Sequence, residues 1–195
     1  MLILIRHTKV LFNWEKKYTA AGFAKAQADY DQAPIERISD VKLRSIRESL
    51  PEHFELYTSS LKRSIETAAM LFPDKTPIRL PELSEIPIYP YRDSDKPLSL
   101  WRWLFWGRVQ WFCNNPRQER TKRIVEREIE KVIALIQHKH AVIVGHGFQM
   151  RIMLNILARC YPVQKPMYIK NLDMVKCFVY EKNKQYLSFL RTSGT

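Results

Sequence analysis

Two short, unbroken apolar runs frame this chain. Leu2-Ile-Leu-Ile5 and Ala141-Val-Ile-Val144 are too short and too evenly apolar for a surface helix, and both read as buried strands. Phe54-Glu-Leu-Tyr57 predicts a third, brief strand and Ile78-Arg-Leu80 a short edge strand. Val175–Tyr180 and Tyr186–Leu190 predict two antiparallel strands joined by a turn over residues 181–185. Helical spacing fills the intervals. Apolar positions at 61, 65, 68 and 71 predict a helix that stops before Pro73, with Ser59 or Ser60 as its cap. Positions 124, 125, 129, 132, 133 and 136 predict another, starting at Pro116 and ending near His138. Phe148–Arg159 predicts a third, and Thr19 is placed to cap an alanine-rich helix through Tyr30. Pro34–Pro51 reads as a short helical or irregular excursion; Lys9–Lys17 and Pro87–Leu98 read as loops.

One segment does not fit a simple amphipathic pattern. Ser99–Phe112 holds four of the five tryptophans. Trp101, Leu104, Phe105, Arg108, Val109 and Phe112 fall on one helical face, while Trp103, Trp106 and Trp111 fall elsewhere. A single buried stripe leaves part of that aromatic surface over. Its open uses are the core of an inserted segment, a lid over a site, a homodimer contact, or a membrane-surface patch.

Length and composition narrow the class. A chain of 195 residues, 46% hydrophobic, can bury one sizeable core, so one domain over 1–195 is expected. Lysine and arginine number 32 against 20 acids, a formal charge of +12. That excess favours anionic partners without choosing between a phosphate ester, nucleic acid and a membrane surface. No RNP-like, zinc or helix-turn-helix pattern supports nucleic acid. Three cysteines without paired spacing suggest reduced, buried thiols and a cytoplasmic setting. Neither a secretory signal nor a transmembrane segment is expected.

The chemistry gathers where the strands end. The first run stops on Arg6-His7, the second on Gly145-His146-Gly147, so two of five histidines follow buried strands. Alone, His7 could be an ordinary capping or core histidine. With Arg63 and Glu85 added, the set suits phosphoryl transfer: a neutral imidazole attacks phosphorus, arginine forks hold the oxygens, and an acid protonates the leaving group. No pair of histidines or cysteines has metal-ligand spacing, so no metal or other cofactor is expected.

Arg6-His7-Thr8, Ser59-Ser-Leu-Lys-Arg63-Ser-Ile-Glu-Thr67-Ala68, Leu83-Ser-Glu85 and Gly145-His146 together resemble the motifs of the histidine phosphatase superfamily, the phosphoglycerate mutase-like family. Thr19-x-x-Gly22 with Gln27-Ala28 is similar to that family's first-helix segment. The resemblance implies a three-layer α/β/α sandwich with a mostly parallel central sheet; the aromatic segment over about 87–115 is read from its own residues as a lid or cap-like insertion in it. The resemblance makes His7 the nucleophile that becomes phosphohistidine, and Arg6, Arg63 and His146 the phosphate-binding groups. Asn13 joins them as a weaker match, and Glu85 (or Glu82, three residues earlier) is the proton donor. The substrate it implies is a small-molecule phosphomonoester, hydrolysed without metal. Trp103 and Trp106 are candidates for selecting the organic part. Thr8 stands where the family usually has glycine, a change familiar among its phosphatase members and in ribazole-phosphatase-like sequences, to which the chain is weakly similar. Ile86-Pro-Ile-Tyr-Pro-Tyr-Arg92 replaces a Gly-x-x-Glu-Gly element, and that departure weakens any transfer of ribazole phosphate as substrate. A mutase-like phosphotransferase, a phosphohistidine-protein phosphatase and an inactive binding protein of the same fold remain as alternatives. The short interval between Glu85 and the second histidine favours hydrolysis over the mutase.

Overall fold

A computed structural model of the chain describes residues 1–161, 163, 166 and 168–177. Its centre is a five-stranded sheet: β1 (Leu2–Arg6), β3 (Glu55–Thr58), β4 (Ile78–Arg79), β6 (Ala141–Gly145) and β7 (Met174–Cys177), ordered β4-β3-β6-β1-β7. The first four run parallel and β7 closes the far edge antiparallel to β1. The second strand expected near the carboxyl end, 186–190, lies outside the described residues.

Side chains alternate across a sheet, and here the alternation fills both faces. Leu2, Leu4 and Ile143 pack into one cluster with Val125, Ile129 and Ile133 of α5 (Lys122–Ile136) and Met150 and Met153 of α6 (Gly147–Leu157). Ile3, Ile5, Val142 and Val144 pack into another with Ile46 of α2 (Asp40–Glu48) and Ala68 and Leu71 of α3 (Lys62–Leu71). The result is a three-layer α/β/α sandwich with a mixed, mostly parallel sheet. A strand apolar on both faces is what a doubly covered parallel sheet requires.

A third, aromatic cluster lies apart. Tyr18 and Phe23 meet Trp103, joining β2 (Lys17–Tyr18), α1 (Ala20–Gln32) and α4 (Leu100–Phe112). β2 pairs with β5 (Leu98–Ser99) in a small second sheet within segments expected to be loops. Thr19 caps α1 as expected, its Oγ1 accepting from Gly22 N at 3.1 Å.

Two helix starts differ from expectation. α3 begins at Lys62 without a side-chain cap, because Leu61, which has no side-chain acceptor, occupies the cap position rather than either serine. Pro116–Gln118 forms a separate 3-10 turn, and Glu119 follows at φ 39°, a left-handed conformation that a helix cannot continue through. α5 therefore starts only at Lys122. Cys177 is buried, but Cys113 is exposed, so the thiols are not uniformly interior.

Candidate active site

Register places the two histidines together. β1 and β6 are paired so that Arg6 faces Gly145. The next residues, His7 and His146, therefore leave adjacent strand ends side by side, with ring centroids 5.1 Å apart. His7 N donates to Gly145 O at 2.9 Å, and Asn171 Nδ2 donates to His7 O at 2.8 Å. On the other flank of β6, β3 pairs Thr58 with Val144, which brings the following Ser59 to the same level.

A backbone contact assigns the His7 proton, and a serine hydroxyl holds the His146 ring. His7 Nδ1 lies 2.6 Å from Thr8 O, which can only accept, so Nδ1 carries hydrogen and Nε2 keeps its lone pair. Ser59 Oγ accepts from Leu61 N at 3.2 Å and lies 2.7 Å from His146 Nε2. The hydroxyl has a second lone pair as well as its proton, so the contact orients the His146 ring with either tautomer. His146 Nδ1 is a buried atom with no partner in the protein. Both rings are held neutral. Burial, aided by Arg63 and Arg6, pushes His7 down to about 3 despite the opposing Thr8 bond. Burial and the charge of Arg63 hold His146 well below the ordinary histidine range.

Two guanidinium groups border the pair. Arg6 donates from Nη1 to Ile169 O at 2.6 Å, and its side chain lies against Gly147, where a Cβ would come within 3.1 Å of Nε. Arg63 enters from the first turn of α3, buried, with Nη1 2.6 Å from Asp31 Oδ1 and its carbon centre 5.0 Å from the Tyr30 ring. Thr67 ties this turn to the β1 end: its Oγ1 donates to Arg63 O and accepts from Thr8 N. Both arginines keep a buried Nε without a partner. Burying such donors unpaired is costly unless a ligand takes them.

A cavity of about 730 Å³ opens beside this cluster, with Arg63, Asp31, Glu85 and Ser84 among its lining. The histidines do not line it themselves; His7 is only 3% exposed and His146 fully buried. Glu85 connects the two regions, because its Oε1 accepts from Ile86 N at 3.0 Å and from Gln149 N, in the first turn of α6, at 3.3 Å. The rest of the wall is largely apolar: Trp14, Ile86, Ile88, Leu100 and Leu104 among others. Arg108 lines it with its guanidinium 3.9 Å from the Phe148 ring centre, and burial pushes that group down to about 10.

The sequence-expected residues divide. His7, His146, Arg6 and Arg63 are brought together, and Glu85 faces the cavity beside them. Glu82 is not on the cavity wall; its backbone oxygen accepts from Arg120. Asn13 is exposed and does not line the cavity. Trp103 is sealed in the aromatic cluster, stacked on Phe23 with Nε1 donating to Tyr18 O, and Trp106 lies off the wall. The geometric reason is that α4 has three faces. Trp103, Gly107 and Trp111 face the core, Leu100, Leu104 and Arg108 face the cavity, and Trp101, Phe105 and Phe112 face outward. Gly107 lets Ile88 pack on the helix, since a Cβ there would lie 2.2 Å from Ile88 Cγ2.

Ser59, Asp31 and Arg108 are the groups that sequence reasoning passes over. Ser59 looks like a helix cap, and Asp31 and Arg108 stand in no motif. Gln149 joins them: fully buried, with neither side-chain polar atom partnered. Among the described residues no group of three or more histidines, cysteines or acids could hold a metal ion. No described helix is long and apolar enough to cross a membrane.

Comparison with known proteins follows the geometry. A family model described as the histidine phosphatase superfamily (branch 1) matches residues 2–191. No curated protein sequence matches the chain. Among solved structures, the protein TTHB049 of Thermus thermophilus is similar at TM-score 0.51 and 18% identity, covering 89% of this chain and 90% of that one. A mycobacterial hydrolase is similar at TM-score 0.55 and 12% identity, covering 100% and 97%. A phosphoserine phosphatase of Entamoeba histolytica, in complex with 3-phosphoglyceric acid, is similar at TM-score 0.50 and 16% identity, covering 89% and 87%. At these identities the likeness is one of fold.

Proposed function

The chain belongs to the histidine phosphatase superfamily, a family of phosphatases and mutases, and from that premise we propose that it hydrolyses a small-molecule phosphomonoester through a phosphohistidine on His7. The observation that carries the reading is the neutral His7–His146 pair, 5.1 Å apart, with Arg6 and Arg63 each holding a buried, unpartnered Nε beside it.

The steps use groups already placed. An incoming phosphate takes Arg63 from Asp31 and engages the free donor of Arg6 and the unpartnered Nδ1 side of His146, so its oxygens are held as negative charge spreads over them. His7 Nε2, its lone pair kept free by the Nδ1–H bond to Thr8, attacks phosphorus. The bond from phosphorus to the alcohol oxygen breaks, and Glu85 as the acid delivers a proton to that oxygen. Glu85, now a carboxylate, takes a proton from water. The water oxygen attacks phosphorus, the N–P bond breaks, and inorganic phosphate leaves with His7 restored. The arginines supply the electrostatics, so the scheme needs no metal.

The cavity bears on the substrate. Its volume exceeds that of a phosphate group, and its wall of Trp14, Ile86, Ile88, Leu100 and Leu104 suits an alcohol part with apolar or ring character. The 87–115 segment acts in this reading as the cap that supplies much of that wall within a single domain. Three free cysteines accord with a cytoplasmic setting.

The test is phosphate release from a panel of phosphomonoesters in EDTA, for wild type and His7→Ala. Turnover that survives EDTA and is lost in the variant is expected. Undiminished turnover by His7→Ala would overturn the nucleophile. No turnover of any ester by folded wild type would favour the non-catalytic reading.

A further inference from the structure

The outward face of α4 is not used by the site. Trp101 is 72% exposed, Phe112 52%, and Phe105 and Trp106 each 47%. Trp101, Phe105 and Phe112 form one strip, Trp106 lies further round the helix beside the exposed Arg102 and Cys113, and no acid occurs anywhere in Leu100–Phe112. Helix α5, of similar length and also at the surface, shows what an ordinary exposed face looks like. Apart from Ile124 and Leu135, its outward positions are charged or small, and its apolar residues are buried. Scattered exposed apolar residues need no account, but three large aromatic ones on a single helix face, with a fourth beside them, do.

We propose that this face of α4 docks on an anionic lipid bilayer, lying in the headgroup region with its axis along the surface. Charge selects this occupant over a second copy of the chain. Each copy carries +12, so two facing copies repel, whereas an anionic surface is attracted. The cations sit where a surface would meet them. Lys16 and Lys17 are exposed at the amino end of α4, where Lys16 O accepts from Leu100 N and Lys17 pairs with Ser99. Arg102 is exposed on the helix, and exposed Arg123 donates its backbone N–H to Asn114 Oδ1 just beyond the other end. The neighbouring acids are Glu15, Asp93, Asp95 and Glu119, of which Asp93 is already paired with Arg117. Trp and Phe on one side with Lys and Arg at the margins is the composition of an interfacial helix.

The face also has a consequence for access. Leu100, Leu104 and Arg108, on the next face of the same helix, line the cavity. Docking through Trp101 and Phe105 would bring the cavity near the lipid surface, where an amphiphilic phosphomonoester would be concentrated. That last point rests on the phosphatase reading; the docking does not.

The test is flotation of the full-length protein with vesicles of phosphatidylcholine alone and of phosphatidylcholine with phosphatidylglycerol, at low and high salt, following tryptophan emission. Wild type is expected to float with the anionic vesicles at low salt, with a blue-shifted emission, and to lose most binding in high salt. The triple variant Trp101→Ser, Phe105→Ser, Phe112→Ser is expected to bind at least about tenfold more weakly. Its melting temperature and its turnover of a soluble ester are expected to be unchanged. The His7→Ala variant is expected to bind as wild type, which separates docking from catalysis. Failure of wild type to float with anionic vesicles, or equal flotation of the triple variant, would overturn the proposal. So would a stable dimer by light scattering that the triple variant abolishes, since the face would then belong to a second copy.

Discussion

His7, His146 and Ser59 are held by main chain, whereas Leu100, Leu104 and Arg108 are held by the packing of one helix. The first set leaves the carboxyl ends of β1, β6 and β3, whose register places them to within the tolerance of a hydrogen-bonded ladder. Its polar atoms are fixed by backbone groups: Thr8 O for His7 and Leu61 N for Ser59. The second set depends on Trp103 and Trp111 being buried behind it and on Gly107 admitting Ile88. A reacting centre needs placement to a fraction of an ångström, and a sheet edge supplies it. A specificity wall needs shape, which side-chain packing supplies and can vary. Substitutions in the two regions should therefore fail in different ways.

The largest effect falls at the sheet ends. His7→Ala is expected to lower phosphate release by at least about 1000-fold with little change in melting temperature. Arg63→Ala should cost about 100- to 1000-fold in kcat/KM, because it removes a donor aimed at the developing charge. Retention of activity by either variant would break the contrast from that side.

The wall should respond selectively. Leu104→Ala is expected to reduce kcat/KM about tenfold for ring-bearing esters while leaving the smallest esters within about twofold. Uniform loss across the panel would mean that α4 supports the reacting centre rather than shapes the substrate. Trp103→Ala, by contrast, should act through stability. Removing a fully buried ring stacked on Phe23 is expected to cost about 3–5 kcal/mol, measured by chemical denaturation.

Smaller effects sharpen the account of the histidines. Ser59→Ala should lower kcat about tenfold, roughly 1.4 kcal/mol, because His146 loses the hydrogen bond that orients its ring. For stability the sign follows from burial. His7 is held near 3 in the folded protein against 6.5 when free, so unfolding takes up a proton between those values. Stability should be insensitive to His7 above pH 6.5 and should fall as pH drops toward 3. In melting curves from pH 7 to 4, His7→Asn should lose less than wild type.

How much of this is legible in the sequence follows the same division. The strand runs end visibly, so the meeting of His7 with His146 can be anticipated once both strands are buried and parallel. Arg63 and Glu85 are found through the resemblance of their motifs to the family's. Glu85 and Glu82 are not separable in sequence, because which one meets the cavity depends on the 3-10 turn at Pro81–Leu83. Ser59 is misread as a cap because local sequence does not show that Leu61 takes the cap position and that His146 meets the serine hydroxyl. The α4 faces are misread for a plainer reason. An all-round aromatic helix has no polar side to orient it, so neither Trp103 nor Trp106 can be assigned from periodicity. The left-handed Glu119 and the β2–β5 pairing are tertiary features with no strong local signal.

The central claim is the covalent step, and trapping it is the most direct test. Wild-type protein turning over its best ester should be quenched in alkali, where phosphohistidine survives, and its peptides examined by mass spectrometry. The account predicts one phosphoryl group on the peptide carrying His7, absent from His7→Ala and from protein without substrate. A phosphoryl group on any other residue, or full turnover by His7→Ala, would contradict it.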